Sequence, residues 1–408
     1  MQKGRNEGAL EGIRFADFTW TLAGGMATKH FADYGATVVN IEWPKRGGLR
    51  TVQPFRDGKP GVNRSGYFNY YHTNTYSLTL ELSHPKAVEI AKKLILWADI
   101  VAENFTPGTM EKWGLGYEDL RKIKPDIIMI RTSHLGQTGP FAKHPGLGNH
   151  LNALSGVVYL TGWPDLDPVA LIVAYTDYFS GIFGTTALLA ALDYRRRTGK
   201  GQLLDVSQLE AGLQFQLPSL VDYIVNERIQ ERMGNACPYA VPHGAYRCKG
   251  EERWCAIAVS TDQEWRAFCQ VIGNPNWTRE SRFSTLRGRK NNEEELNRLV
   301  EEWTINFTAE QVMSMMQAVG VAAGVVQNAE DLYNDPQLRY RNFFWVMDHL
   351  EIGSFSHQGE PSVLSKTPAQ PRIPAACLGE HNEYVCREFL GISEEEFDAL
   401  LISGMFGL

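Results

Sequence analysis

Gly12-Ile13-Arg14-Phe15-Ala16-Asp17-Phe18, then Met26–Tyr34, then Thr37-Val38-Val39-Asn40-Ile41, is the stretch from which the fold can be read. The first segment is apolar over a strand's length. Thr21–Ala23 with Gly24-Gly25 reads as a turn, Met26–Tyr34 repeats at helical period, Gly35 stops it, and Thr37–Ile41 is a second β run. Strand, helix and strand in so short a span form a βαβ unit and imply a doubly wound α/β sheet. The glycines do not make Gly-x-Gly-x-x-Gly, so the dinucleotide fingerprint is absent.

Outward from this unit the pattern continues. Ser77–Leu80, Ile100–Ala102, Ile127–Arg131 and Leu203–Val206 read as strands, with Pro85–Leu96 as a helix between the first two. Pro44–Ser65 is a polar, Gly- and Arg-rich loop, and a second long loop runs through Gly136–Pro140 and His144–Gly148. From about Tyr223 the character changes. Ala245–Val259 alternates like a hairpin, and helices follow at Asp262–Ile272, Glu293–Thr304 and Ala309–Ala318. The expected organisation is a large domain over 1–222, a smaller α+β domain over 223–340, and a tail over 341–408 with a β-rich part and an acidic helix, Glu394–Leu401.

The bulk numbers narrow the class. The chain has 408 residues, 43% of them hydrophobic and 21% charged, the profile of an ordinary globular protein. The net charge of -7 offers no basic excess for a nucleic-acid backbone. The cluster Arg195, Arg196, Arg197 and Lys200 follows a helical run and reads as its solvated last turn. No apolar run approaches a bilayer span, the first eleven residues lack a secretory core, and the expectation is a cytoplasmic protein. The six cysteines form no Cys-x-x-Cys pair and stand near no histidine at zinc spacing, which reads as reduced thiols and no metal site.

Tyr175-Thr176-Asp177-Tyr178-Phe179-Ser180-Gly181 carries the chemistry, and it leads into the small-residue helix Ile182–Leu192. Asp177 reads as lying between a buried strand's end and a buried helix's start, flanked by rings. A carboxylate there is costly unless something pairs with it or uses it. One reading is a carboxylate nucleophile for an activated acyl group, favoured in its ionised form by the helix N-terminus. The other is a helix cap or the partner of a buried arginine.

The motifs then converge on a family. Leu10-Glu11-Gly12, Ala23-Gly24, Asp33-Tyr34-Gly35-Ala36, Glu103-Asn104-Phe105-Thr106-Pro107-Gly108, Gly114-Leu115-Gly116-Tyr117, Gly136-Gln137-Thr138-Gly139-Pro140, the Asp177 segment, Arg197-Thr198-Gly199-Lys200-Gly201-Gln202 and Leu378-Gly379-Glu380-His381 occur in order along nearly the whole chain. In that order the chain resembles the class III CoA-transferases, the formyl-CoA and carnitine type. It looks most like subunits of succinyl-CoA:benzylsuccinate CoA-transferase. The resemblance implies a Rossmann-like large domain built from both termini, a smaller α+β domain between, and an interlocked dimer of identical or related chains. It makes Asp177 the nucleophile, passing through a mixed anhydride and an aspartyl-CoA thioester. CoA and acyl-CoA enter as substrates, with no permanently bound cofactor. The resemblance puts CoA contacts on Thr21, Leu22, Ala23, Asn104, Phe105 and Lys112, with Phe105 facing adenine and Lys112 serving a phosphate. The Gly136, Gln137, Gly139 loop is either an oxyanion site or a plain turn. Tyr175, Tyr178 and Phe179 are either pocket walls or core.

There are departures from the family pattern. Trp43 stands where members often carry a basic residue, and Thr73-Asn74-Thr75-Tyr76-Ser77 lacks two further positive charges, so phosphate binding is either shifted to Lys45, Arg46 or Arg50 or weaker. Related racemases carry Gly-His-Asp where this chain has Gly146-Leu147-Gly148. Without a base at 147, removal of an α-proton lacks its partner unless His150, three residues on, substitutes; His134 and His144 read as loop or pocket residues. Tyr67, Phe68, Tyr70, Tyr71 and Tyr76 either line a pocket for an aromatic acid or fill the core. An acyl-CoA racemase and a non-catalytic CoA-binding subunit remain the alternatives.

Overall fold

A computed structural model describes residues 8–45 and 47–407. The chain divides into two compact units. The first holds the chain up to Val158, Ala170–Arg228 and everything from Gln337. The second holds Tyr159–Val169 and Ile229–Pro336.

The first unit is Rossmann-like. Strands β1 (Arg14–Phe18), β2 (Thr37–Glu42), β3 (Thr75–Thr79), β4 (Ile100–Glu103), β5 (Ile128–Ser133) and β6 (Leu203–Ser207) make one six-stranded sheet in the order β3-β2-β1-β4-β5-β6. Every pairing is parallel. Both faces of the central strands are covered, so β1, β2 and β4 are buried on both sides, while β6 at the edge is partly exposed. Phe15, Val38, Ile100, Ile128 and Ile130 pack on one face under Ala27, Phe31 and Leu188. Ala16, Phe18, Val39, Ile41, Val101 and Met129 pack on the other, under the Pro85–Trp97 helix and the C-terminal residues Phe397, Leu400 and Phe406. The order reverses between β1 and β4: β2 and β3 lie to one side of β1, and the later strands to the other. Such a reversal opens a crevice beyond the carboxyl ends of the strands.

Two helices set the crevice wall. Leu22–Asp33 follows β1, and the long helix Tyr175–Thr198 packs against it. Glycine inside a helix costs about 1 kcal/mol relative to alanine, so its presence asks for a reason. Here the reason is proximity. A Cβ on Gly181 would stand 2.5 Å from Met26 Cβ, and one on Gly184 would stand 3.2 Å from Ile130 Cδ1. The same reason corrects the reading of Gly24-Gly25 as a turn. The helix already runs from Leu22, and a Cβ on Gly24 would meet Thr19 Cγ2 at 2.3 Å. These glycines serve close packing, which composition alone does not separate from a turn. The long helix ends at Gly199, whose φ of 73° is the left-handed cap that glycine accepts.

The second unit carries an antiparallel sheet of β7 (His243–Arg247), β8 (Trp254–Ala258) and β9 (Ala322–Val325) in the order β7-β8-β9. Its core joins Tyr246, Ile257, Trp265, Phe268, Val300, Val312 and Met316. Helices Asp262–Val271 and Ala309–Gln317 open on capping boxes, Thr261 with Glu264 and Thr308 with Gln311. In the first unit's C-terminal part, β10 (Phe344–His349) and β11 (Gly353–Gln358) form a hairpin, and Glu394–Ile402 is helical. No helix among the described residues is long and apolar enough to cross a membrane.

Candidate active site

Asp177 lies in the first turn of the long helix. The residues before it, 168–174, form no strand, so the expected strand-to-helix junction is instead an irregular segment entering a helix. Ala174 occupies the N-cap and has no capping side chain. Among the described residues the Asp177 carboxylate neither caps this helix nor meets a guanidinium. Its hydrogen bond comes from Gln208, whose Nε2 donates to Oδ1 at 2.9 Å. Burial pushes the carboxyl up to about 7, and the Gln208 N–H pulls the other way. The site therefore holds a carboxylate that is partly stripped of water and paired with a neutral amide.

This carboxylate faces a cleft of about 220 Å³ at the switch point of the sheet. Thr21 and Ala23 follow β1, Asn104–Pro107 follow β4, Thr132–His134 end β5, and Gln208 follows β6. Ala142, His144 and Gly146–Gly148 close it from the long loop. Gly148 is pressed against the nucleophile candidate. A Cβ built there would lie 2.8 Å and 2.9 Å from the two carboxylate oxygens and 2.4 Å from Ala174 Cβ. Burial, with His150 nearby, holds His134 below the usual imidazole range, so it lines the cleft as a neutral ring.

Asn104 ties two strand ends together. Its Oδ1 accepts the Trp20 N–H at 3.1 Å, and its Nδ2 donates to the Thr21 carbonyl at 3.1 Å and to Thr21 Oγ1 at 2.7 Å. Those bonds fix the entry to the Leu22–Asp33 helix. The Phe105 N–H donates to Glu103 Oε2 at 2.6 Å, and Glu103 in turn meets Arg131. The Phe105 ring stands edge-on to Trp20 and Trp113, at 4.7 Å and 5.5 Å between centroids.

Of the residues expected at the site, Asp177, Thr21, Ala23, Asn104 and Phe105 come together in this cleft. Leu22 does not. It turns into an apolar cluster with Met26, Leu49, Phe68 and Tyr71. Lys112 is exposed on a short helix, Thr109–Lys112, away from the lining. Gly136, Gln137 and Gly139 also lie outside the lining. The Gln137 N–H is already used, donating to both Asp205 carboxylate oxygens at 3.1 Å and 3.0 Å, so it is no oxyanion donor for Asp177. Arg46 falls outside the described residues. Arg50 is buried and locked onto Glu42, with Nε to Oε2 at 2.6 Å, so it is not a phosphate ligand. Lys45 is exposed beside Glu81.

The expected ring walls are elsewhere too. Tyr175 and Phe179 stack with Phe215, and Tyr178 packs with the Phe68 and Tyr71 cluster. Tyr76 stacks on Tyr384 at 5.5 Å. None of them lines the cleft.

Gln208 and Thr132 had no motif to announce them. Their signal is positional: Gln208 directly follows a strand at the carboxyl edge of a parallel sheet, where ligands bind.

Sequence and structure comparisons give the family. The family model described as CoA-transferase family III matches residues 10–382. The chain therefore belongs to that family and is an enzyme of the CoA-transferase type. It is similar to the succinyl-CoA–D-citramalate CoA-transferase of Chloroflexus aurantiacus, at 31% identity over 98% of each chain. It is also similar to the succinyl-CoA–L-malate CoA-transferase beta subunit of the same organism, at 31% identity over 96% of each. A third relative is the succinyl-CoA:glutarate CoA-transferase of Mus musculus, at 30% identity over 97% of this chain and 90% of that protein. Among solved structures, a CAIB/BAIF family protein from Brucella suis superposes with a TM-score of 0.86 at 27% identity, covering 94% of this chain and all of that one.

The raised Asp177 carboxyl has a consequence for pH. With Asp177 as the nucleophile proposed below, only its ionised form attacks, so transfer should rise with pH through about 7 and fall about tenfold per unit below that. A pH profile of kcat/KM for the acyl-CoA checks this. An acid limb near the ordinary carboxylate range would contradict the burial seen here.

Proposed function

We propose that this chain moves CoA from succinyl-CoA to a dicarboxylic acid, with Asp177 as the covalent nucleophile. The observation that carries the reading is the half-buried Asp177 carboxylate, held by a neutral amide and facing the cleft at the switch point. Its oxygen attacks the thioester carbon, the C–S bond breaks, and the CoA thiolate leaves a mixed anhydride. The thiolate then attacks the aspartyl carbon and releases succinate. The acceptor carboxylate attacks the resulting aspartyl thioester, and the thiolate finishes on the acceptor's acyl carbon. Thr21, Ala23, Asn104 and Phe105 form the CoA-facing side in this reading, and water is kept from the anhydride by burial.

The relatives are named for citramalate, malate and glutarate, which supports a short dicarboxylic acceptor. An aryl-bearing acceptor such as benzylsuccinate finds Phe105, His134 and His144 as the rings among the described residues of the cleft, because the tyrosine run packs elsewhere. Leu147 stands where the related racemases carry their histidine, which supports transfer over racemisation, although the cleft lining holds His134 and His144. The purified chain, given succinyl-CoA and a panel of malate, glutarate, citramalate and benzylsuccinate, tests the reading. Formation of an acceptor CoA ester with stoichiometric succinate is expected. Release of free CoA alone contradicts it, as does no turnover by a chain that light scattering shows to be paired.

We further propose that two chains associate as an interlocked pair. The Leu217–Asn226 helix has no buried residue, with Ile224 74% and Val225 71% exposed. Ile182, Phe183 and Leu189 of the long helix and Phe215 are exposed as well. Apolar surface of this extent calls for a partner. Light scattering of the purified chain should give twice the 45.9 kDa chain mass. A monomer at micromolar concentration would point to a related, non-identical partner, as for the malate enzyme's alpha and beta subunits.

A further inference from the structure

We propose that Gln208 is a catalytic residue whose side-chain N–H stabilises the oxyanion formed on the Asp177 carbonyl, leaving Oδ2 as the oxygen that bonds the acyl group. The inference rests on Asp177 being the nucleophile. Gln208 is 3% exposed and opens a short helix, Gln208–Leu213, directly after β6. Its backbone is fixed on one side by the sheet and on the other by the Ser207 cap, whose Oγ accepts the Glu210 N–H at 3.3 Å. Its Nε2 donates to Asp177 Oδ1 at 2.9 Å, and its Oε1 is buried with no partner among the described residues. A side chain that merely braced the fold would bond to backbone or to other scaffold groups. This amide is aimed at one reacting carboxylate.

The chemistry follows from which oxygen is held. Oδ2 attacks the donor carbon and becomes the bridging atom of the anhydride. Oδ1 becomes the aspartyl carbonyl oxygen, still against Nε2. When the CoA thiolate adds to Cγ, the electron pair of that carbonyl moves onto Oδ1, and the Gln208 N–H meets a full negative charge. Collapse expels succinate with Oδ2 and leaves the aspartyl thioester. The acceptor carboxylate then adds to the same carbon, and the charge returns to Oδ1. Collapse expels the thiolate. No proton moves in any of these steps. A donor that gains strength as charge develops lowers the barrier rather than tightening the ground state.

Two full-length variants test this. Gln208→Leu removes the donor, and Gln208→Glu keeps the shape while replacing the donor with an acceptor. Both should lose about 10²–10³-fold in kcat, with the Kd for free CoA within about threefold of wild type by calorimetry. In single turnovers with succinyl-CoA, the Asp177–CoA adduct, read by acid quench and mass spectrometry, should form and decay slower by the same factor. The acid limb of the pH profile should move to higher pH in Gln208→Leu, because the N–H that favours the ionised carboxylate is gone. A Gln208→Leu enzyme within about threefold of wild type would overturn the assignment, as would a Gln208→Glu enzyme with wild-type kcat. Failure of the underlying reading looks different: there, Asp177→Ala would still turn over.

Discussion

Replacing Asp177 with alanine or asparagine is expected to lower CoA transfer by at least about 10⁴-fold, because among the described residues lining the cleft Asp177 is the one carboxylate, the group that can carry an anhydride and then a thioester. The asparagine variant should show a second effect of opposite sign. In the folded protein the carboxyl is raised from 3.8 to about 7 by burial. A raised carboxyl makes folding less favourable as pH climbs from the unfolded value through the folded one, since the unfolded chain ionises first. Below about 4 the difference vanishes; above about 7 it is fully present. Asp177→Asn never ionises, so at pH 8 it should be more stable than wild type by up to about 4 kcal/mol. Urea unfolding of both proteins at pH 8 and pH 5 measures this. A dead enzyme with greater stability is the signature of a group kept for chemistry. A dead enzyme of lower stability would mean that Asp177 is a structural strut.

Gly148→Ala is expected to cost about 10²-fold in kcat while leaving the fold intact. Gly148 does not sit at a positive φ, so alanine meets no backbone strain. The cost is contact. The new methyl would overlap Ala174 Cβ at 2.4 Å and both carboxylate oxygens at under 3 Å. The backbone of the long helix is fixed by its seat on the Leu22–Asp33 helix, so the carboxylate gives way first. It rotates off the Gln208 amide and out of line with the thioester. Circular dichroism and thermal unfolding should stay near wild type while turnover falls. Activity within about threefold of wild type would show that the loop yields and the carboxylate does not.

The fold was legible because its sheet is parallel and covered on both faces. Strands such as Ile100–Glu103 and Ile128–Ser133 are then short apolar runs between turn residues, with bounds off by a residue or two. Gly24-Gly25 misled because glycine serves turns and close helix packing alike, and only the distance to Thr19 separates the two. Asp177 was legible because a lone acid among apolar residues is unusual. The rings around it were not, because helical spacing sends Tyr175 and Phe179 to one face and Asp177 to another, and the exposed Phe215 that they stack on lies far along the chain. Arg50 read as a phosphate ligand because its partner Glu42 lies on β2 with a loop between. Gln208 carried no signal in its own sequence. Its importance comes from a strand order that brings β6 to the edge of the same crevice.

The most direct measurement is chemical trapping. The enzyme is mixed with succinyl-CoA, quenched with hydroxylamine, digested, and the peptide holding Asp177 is weighed. A hydroxamate on Asp177, appearing with succinyl-CoA and absent with free CoA, is the expected result. An unmodified Asp177 peptide from a sample that is actively transferring CoA, or a hydroxamate on a different acid, would contradict the account.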